Sequence, residues 1–132
     1  MTQLTNSVVN QVGQQQNLEH IRKTVKVTLE QVMGDSSAEM LDEMSTIFLE
    51  DAVPLIDQIK TGLANHDYTA IKMAAHALKG SSATIGLGKF ADACLAVENS
   101  GKNEDDNLIG QNLSVLEVEY SQVQEALTAF LI

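Results

Sequence analysis

The chain has 132 residues, enough for one buried core and too few for two substantial domains. Eight basic residues stand against 18 acidic ones, and the formal net charge is −10. Such a surface repels nucleic-acid phosphates and anionic lipid headgroups alike, so we expect neither a nucleic acid nor a membrane as partner.

Cysteine content and hydropathy indicate where the chain works. Cys94 is the single cysteine, so neither an intrachain disulfide nor a multi-cysteine metal site can form. No basic stretch followed by an apolar one opens the chain, and no segment approaches about 18 consecutive apolar residues. We therefore expect a cytoplasmic protein. Because the sequence contains only one proline, little opposes long helices, and an all-α class is favoured.

The first predicted helix follows a polar lead. Residues 1–16 are rich in Gln and Asn and lack apolar periodicity, so we predict a flexible or weakly helical lead there. Residues 17–132 are predicted to form the folded domain. Its first helix carries apolar residues at helical spacing from Leu18 to Val32 and ends at Gly34.

The second predicted helix is long. Ser36 or Ser37 can cap its first turn, and its apolar stripe runs from Met40 to Leu63. Pro54 lies inside this helix and should bend it, because proline removes one backbone donor and crowds the preceding turn.

Three further helices complete the predicted chain. A turn at 65–67, which offers a cap, precedes a third helix over 68–85, and a fourth helix covers 89–100. A polar connection over 101–107 leads to the fifth helix, whose apolar residues between 113 and 130 recur three and four apart. This spacing is typical of a helix packed lengthwise in a bundle.

The third helix separates into two faces when its residues are placed at about 100° each. His76 lies about 160° from Leu78, so we predict that its imidazole points into solvent. The residues within about 60° of Leu78 are all apolar or small and are predicted to face the core: Ile71, Ala74, Ala75, Ser81, Ser82 and Ile85.

Gly80 suggests that His76 is more than a solvated histidine, which is the commoner interpretation of a lone exposed one. Glycine inside a helix costs about 1 kcal/mol relative to alanine, so a helix needs a reason to keep it. Gly80 follows His76 by one turn, where the missing side chain leaves room for a tetrahedral phosphoryl group and for an approaching partner.

The charge pattern around His76 points the same way. No acidic residue occurs from Tyr68 to Ala91, whereas Lys72, Lys79 and Lys89 fall within that stretch. A phosphorylated side chain carries a charge of about −2, which neighbouring ammonium groups stabilise. Lysines on a solvated helix face are commonplace, however, and carry little weight alone.

The neighbours of His76 on the outward face are small or apolar, which is unusual on so acidic a protein. They are Met73, Gly80, Ala83 and Thr84. We interpret them as a docking patch, although scattered alanines on a helix surface are also ordinary.

The segment HALKGSSATIGLGKFADACLAVE, which begins at His76, resembles the histidine-containing phosphotransfer (HPt) domain. The signature of that family is His-x-Leu-Lys-Gly-Ser followed by a second helix. Residues 48–82 are similar to the part of the family's sequence that leads to and includes the histidine. In the family this part forms a long helix, a short turn and the helix that carries the histidine. The resemblance extends from about Thr28 to Phe130.

The resemblance implies an all-α fold, an antiparallel four-helix bundle with an extra N-terminal helix. It also implies a phosphorelay intermediate that carries phosphate on His76 and exchanges it with receiver-domain aspartates of response regulators or hybrid histidine kinases. Lys79 and Gly80 take the family's supporting positions. We assign supporting or docking positions to Lys72, Met73, Ala83 and Lys89. A monomer is expected.

We expect the phosphotransfer that the resemblance implies to need no cofactor bound by this chain. Near neutral pH an exposed imidazole mostly offers a free lone pair, and phosphoryl transfer depends mainly on positioning and charge stabilisation. No carboxylate cluster near His76 could hold Mg²⁺, so we expect the receiver site to supply it and expect no ATP-dependent kinase activity. His20, His66 and His76 lack metal-ligand spacing, so no metal site is predicted.

Two other functions remain open from the sequence. A helical adaptor could dock receiver domains without carrying phosphate, and His76 would then be dispensable. A purely structural four-helix domain would give no purpose to Gly80 or to the acid-free stretch.

Overall fold

A computed structural model describes the backbone of residues 2–132 and the side chains of residues 13–132. Within that range the chain folds into five α-helices joined by short turns. They are α1 (Thr2–Met33), α2 (Ala38–Ala64), α3 (Tyr68–Thr84), α4 (Gly88–Lys102) and α5 (Asp106–Thr128).

Short polar side chains begin three of these helices. Ser37 accepts a hydrogen bond from the backbone NH of Met40 at the start of α2. Asp67 caps α3 and Asp105 caps α5, each through a side-chain oxygen that accepts a backbone NH three residues later. Such caps satisfy donors that have no partner inside the helix. The predicted caps at Ser37 and in the 65–67 turn are therefore confirmed.

Four of the helices close into a bundle, because α2 packs against α3, α3 against α4, α4 against α5, and α5 against α2. The fifth, α1, packs along α5, where Arg22 donates a hydrogen bond to the carbonyl oxygen of Ala126. The Lys26 ammonium lies 5.7 Å from the centre of the Phe130 ring. The predicted antiparallel four-helix bundle with an extra N-terminal helix is confirmed.

The core of the bundle is aliphatic with one aromatic centre. Phe90 is 1% exposed and packs edge-on against Phe48, with ring centroids 5.9 Å apart. Leu78 is fully buried at the middle of α3. The core face predicted for α3 is confirmed at every position except Ser81, which is half-buried.

A polar contact joins the two turns at one end of the bundle. Asp106 accepts a hydrogen bond from the Tyr68 hydroxyl at 2.8 Å, and the Nδ1 atom of His66 lies 2.8 Å from the same carboxylate. His66 is thus a turn residue, with a positive φ of 53°.

The structure differs from the predictions in three places. Helix α1 begins at Thr2 and so includes most of the predicted lead, while Leu18 is the first buried side chain among those described. The apolar stripe marks where α1 packs rather than where it begins, and the proposed division at residue 16 stays a prediction. Val32 was predicted to face the core but is 66% exposed. Helix α4 continues to Lys102, and Gly101 is buried rather than part of the connection.

Candidate functional site

His76 lies in the middle of α3, and 69% of its side chain is exposed. The neighbouring residues Ala75 and Leu78 are buried, so the phase of the helix turns the imidazole away from the core. The prediction that His76 points into solvent is confirmed.

Glu98 of α4 brings a carboxylate to the base of the His76 ring. Its Oε2 atom lies 3.1 Å from His76 Nδ1, and its Oε1 atom accepts a hydrogen bond from Lys79 Nζ at 2.8 Å. Glu98 is 6% exposed, whereas Lys79 retains a 29% exposed side chain. One buried carboxylate therefore holds both the histidine and the lysine of the predicted site.

This contact fixes which ring nitrogen is free. An ionised carboxylate only accepts hydrogen bonds, so the Nδ1 atom that faces it carries the proton. In a neutral imidazole the lone pair is then on Nε2. Among the described side chains none forms a hydrogen bond with Nε2, so this atom is available to an incoming electrophile.

The surroundings of Glu98 keep it ionised. The hydrogen bond from Lys79 is the main reason that the pKa of the Glu98 carboxyl is lowered, and the hydrogen bond from His76 acts in the same direction. Burial opposes both effects but is outweighed. The carboxylate form of Glu98 is therefore part of the folded structure.

The lowered pKa predicts a pH-dependent contribution of Glu98 to stability. A carboxyl group with a folded-state pKa below its ordinary value of 4.5 stabilises the fold above that pH, and the effect is lost as the pH falls through the folded-state pKa. We expect Glu98→Gln to reduce the free energy of unfolding most at neutral pH, with the difference shrinking below pH 4.5. Urea denaturation across this range measures it.

Glu125→Gln is the matched control, because Glu125 is an exposed acid of α5. Its effect should stay small at all pH values, within about 0.5 kcal/mol. A difference between wild type and Glu98→Gln that does not change with pH would contradict the proposed ionisation of Glu98.

Gly80 leaves open space beside the histidine. It is exposed one turn after His76, and a Cβ atom built there would have no atom within 4 Å. Packing within this fold therefore does not require a glycine at this position. The open space at Gly80 is compatible with the predicted approach of a phosphoryl group beside His76.

Substitutions at Gly80 should separate stability from activity. We expect Gly80→Ala to raise the free energy of unfolding by about 1 kcal/mol, because alanine favours the helix. Gly80→Leu should also keep the fold but slow the phosphotransfer that the resemblance implies, because the larger side chain fills the open space. Urea denaturation and the transfer rate measure the two effects.

Gly110→Leu provides the control for this pair of measurements. Gly110 lies inside α5, and a Cβ atom there would also meet nothing within 4 Å. It should change stability in the same direction and leave the transfer rate unaltered. Transfer at the wild-type rate in Gly80→Leu would contradict a steric role for the glycine.

The predicted docking patch is on the surface. Met73 is 68% exposed, and Ala83 and Thr84 are exposed on the same side of α3. Lys72 is half-buried, and its Cγ atom would lie 3.1 Å from a Cβ atom placed at Gly101 of α4. The patch thus continues along α3, while Lys72 lies beside α4.

Two expectations about charge need correction. The surroundings of His76 are not purely cationic, because the carboxylate of Glu98 comes from α4, beyond the acid-free stretch. Lys89, proposed as a supporting neighbour, directs its ammonium group toward α5, where Nζ lies 3.4 Å from Glu119 Oε1. Among the side chains of residues 13–132, Lys89 has its ion pair with Glu119 and none with His76, so its supporting role stays a prediction.

Glu98 is the site residue that sequence reasoning missed. The signal was available in the fourth helix, where Glu98 immediately follows Val97 and comes one turn after Cys94 on the predicted inward face. A carboxylate on a buried face needs a cationic or hydrogen-bonding partner. The neighbouring helix α3 offers both kinds of partner, the Lys79 ammonium group and the His76 ring.

The other reactive groups are accounted for by the core. Cys94 is completely buried, and burial raises the pKa of its thiol to about 12. It is therefore an inert core residue. No group of three or more His, Cys, Asp or Glu side chains within residues 13–132 could hold a metal ion. None of the described helices is long and apolar enough to cross a bilayer.

Known proteins resemble the part of the chain that contains this site. The family model of the Hpt domain matches residues 43–129. Sensor protein TorS of Escherichia coli (strain K12) is 35% identical over 68 residues, which cover 52% of this chain and 7% of that protein. Histidine-containing phosphotransfer protein 1 of Arabidopsis thaliana is 23% identical over 112 residues, or 83% of this chain and 73% of that protein.

The fold has a counterpart among solved structures. The crystal structure of histidine-containing phosphotransfer protein B (HptB) from Pseudomonas aeruginosa PAO1 superposes with a TM-score of 0.64 and 23% sequence identity. The superposition covers 80% of this chain and 88% of that one, so the two share the helical bundle. Since the family model also matches more than half of the sequence, over a range that contains the site, this chain belongs to the Hpt domain family.

Proposed function

We propose that this histidine phosphotransfer domain carries a phosphoryl group on Nε2 of His76 and exchanges it with receiver-domain aspartates of response regulators or hybrid histidine kinases. The observation that carries this proposal is the contact of His76 Nδ1 with the Glu98 carboxylate at 3.1 Å. That contact leaves Nε2 with the lone pair on an exposed ring.

The transfer step follows from this arrangement. The Nε2 lone pair attacks the phosphorus atom of an aspartyl phosphate, the N–P bond forms, and the P–O bond to the aspartate breaks. The aspartate carboxylate leaves with the bonding electrons, and the ring keeps its Nδ1 proton and becomes positively charged. Glu98 stabilises that charge through the Nδ1 hydrogen bond. The reverse sequence returns the phosphoryl group to an aspartate.

Lys79 is suited to the charge on the phosphoryl group. An ammonium group has three donors, and Glu98 accepts only one of those of Lys79. Another donor can turn toward phosphoryl oxygens beside His76, because the Lys79 side chain is partly exposed. Mg²⁺ would be supplied by the receiver site, so the active centre is complete only when the two proteins meet.

A labelling experiment tests the proposal. A receiver domain carrying radioactive phosphate on its aspartate is mixed with this protein and Mg²⁺, and transfer of label is followed over time. We expect label on this protein from the receiver and none from ATP alone. If this protein binds the phosphorylated receiver and takes up no label, it is a docking adaptor and the proposal is wrong.

A further inference from the structure

Two uncharged segments of the sequence lie side by side in the structure. Residues 2–18 contain no acidic or basic side chain, and neither do residues 107–116, although the chain has 8 basic and 18 acidic residues. The first segment forms the N-terminal half of α1, and the second forms most of the N-terminal half of α5.

The register between α1 and α5 sets the two segments at the same level. Three contacts join residues that are 104 or 105 positions apart in the chain: Asn17 with Gln122, Arg22 with Ala126, and Lys26 with Phe130. The two helices therefore run in the same direction. Continued back along α1, which is helical from Thr2, this register brings residues 2–18 level with residues 107–122.

The α5 part of this region exposes apolar side chains. Val118 is 61% exposed, Val115 is 53% exposed, and Leu108 is also exposed. All three lie within about 80° around the helix axis, so they form one stripe. A groove of about 280 Å³ runs beside this stripe, between α1 and α5. It is lined by Gln14, Leu18, Val118, Ser121, Gln122 and Glu125.

The acidic residues on either side of Val118 in the sequence are already paired with lysines. Glu117 Oε2 lies 3.5 Å from Lys60 Nζ. Glu119 Oε1 lies 3.4 Å from Lys89 Nζ. The side of the protein formed by α1 and α5 therefore adds little to the negative field of a chain with a net charge of −10.

An uncharged face of this kind suits a second copy of the chain. Two copies that each carry a charge of −10 repel each other, and they approach most easily through the face with the least charge. A two-fold interface brings the same surface to both sides, so that surface must be complementary to itself. Valines pack against valines, and amide side chains both donate and accept hydrogen bonds, whereas an acidic face would meet another acidic face.

We propose that this chain forms a weak two-fold dimer through the face of α1 and α5 that contains residues 2–18, Val115 and Val118. Two helices, each about 25 Å long at about 1.5 Å per residue and about 10 Å wide, offer about 500 Å² on each copy. A total of about 1,000 Å² is near the lower limit of specific interfaces, so the dimer is weak. It replaces the monomer expected from the sequence.

The proposed interface leaves the phosphotransfer site accessible. Helices α3 and α5 both pack against α2 and α4, so they lie diagonally across the bundle. The interface is therefore on the side of the bundle away from His76, and a dimer would present two independent histidines.

Sedimentation velocity of the full chain at about 5–500 µM tests the proposal without phosphate or a receiver. We expect the average mass to rise toward that of a dimer, with a dissociation constant of about 100 µM. Added salt should strengthen association, because it screens the repulsion between two acidic copies. A monomer at every concentration and salt level would overturn the proposal.

Charged substitutions at Val118 locate the interface. Val118→Glu and Val118→Lys should each weaken the dimer by at least about 10-fold, because either charge would be buried against the second copy. A change in net charge does not explain a loss in both variants, since the two substitutions change it in opposite directions.

Val27→Glu and Val27→Lys are the matched controls. Val27 is a 47% exposed valine in the C-terminal half of α1, beyond the uncharged segment. Both control variants should keep the wild-type dissociation constant within about 2-fold, and thermal unfolding shows that all four variants are folded. A dimer that survives both Val118 substitutions, or that is lost equally in the Val27 variants, would contradict this interface.

Discussion

Replacing His76 by glutamine should abolish transfer of phosphate from a receiver domain and leave the bundle intact. The nucleophilic nitrogen is lost, and the amide of glutamine cannot replace it. Because the His76 side chain is 69% exposed, we expect a change of no more than about 0.5 kcal/mol in the free energy of unfolding. The glutamine amide can still donate to Glu98, which also keeps its hydrogen bond with Lys79.

His20→Gln is the matched control for this variant, since His20 is an exposed histidine on α1. It should accept phosphate at the wild-type rate. Receiver binding by His76→Gln, followed without phosphate, should also persist, because the docking surface is unchanged. Label that appears on His76→Gln would contradict the assignment of the phosphoryl group to this residue.

Removing the carboxylate of Glu98 should have the next largest effect on transfer. Glu98→Ala deletes the acceptor that holds Nδ1–H and leaves Lys79 without its partner. The ring then loses its fixed orientation, and we expect the maximal transfer rate to fall by about 100-fold. The receiver concentration for the half-maximal rate should change little, because Glu98 is buried beneath the ring and acts as a positioning residue.

Glu98→Gln separates orientation from charge. The amide oxygen of glutamine can still accept the Nδ1 proton, but the negative charge that opposes the developing imidazolium is gone. We expect a fall of about 10-fold in the maximal rate, between wild type and Glu98→Ala. Equal rates in all three proteins would show that Glu98 only supports the fold, and the exposed-acid variant Glu125→Gln supplies the baseline.

The helices and their buried faces were predictable from the sequence because helix phase and capping are local properties, whereas the arrangement of the helices in a bundle was predicted from the resemblance to the HPt family. One angle, measured from Leu78, separated the buried face of α3 from the outward position of His76, and the structure agrees. Asp67 and Ser37 were recognisable as caps because their side chains act on backbone groups three residues away. Where a helix begins and which of its faces is buried are both determined by residues three or four positions apart.

The complete site was not predictable because one of its residues, Glu98, comes from another helix. Glu98 follows His76 by 22 residues and reaches it only because α3 and α4 pack side by side. The acid-free stretch around His76 described the local sequence correctly but not the local charge. The same limit explains Lys89, which was near in sequence to the site but contacts Glu119 of α5.

The apolar stripe was a better guide to packing than to helix length. Gly101 was assigned to a connection because it begins the polar stretch over 101–107. In the structure Gly101 continues α4 and is buried against α3, where a Cβ atom would lie 3.3 Å from Ile71 Cγ2. A close approach between two helices requires a small residue, and the sequence does not reveal which glycines serve it.

The most direct measurement of the chemistry is NMR of the phosphorylated protein with ¹⁵N-labelled histidine. We expect coupling between phosphorus and one ring nitrogen, Nε2 of His76, together with a proton retained on Nδ1 beside Glu98. A phosphoryl group on Nδ1 of His76, or on any other residue, would contradict the role assigned to the contact between His76 and Glu98.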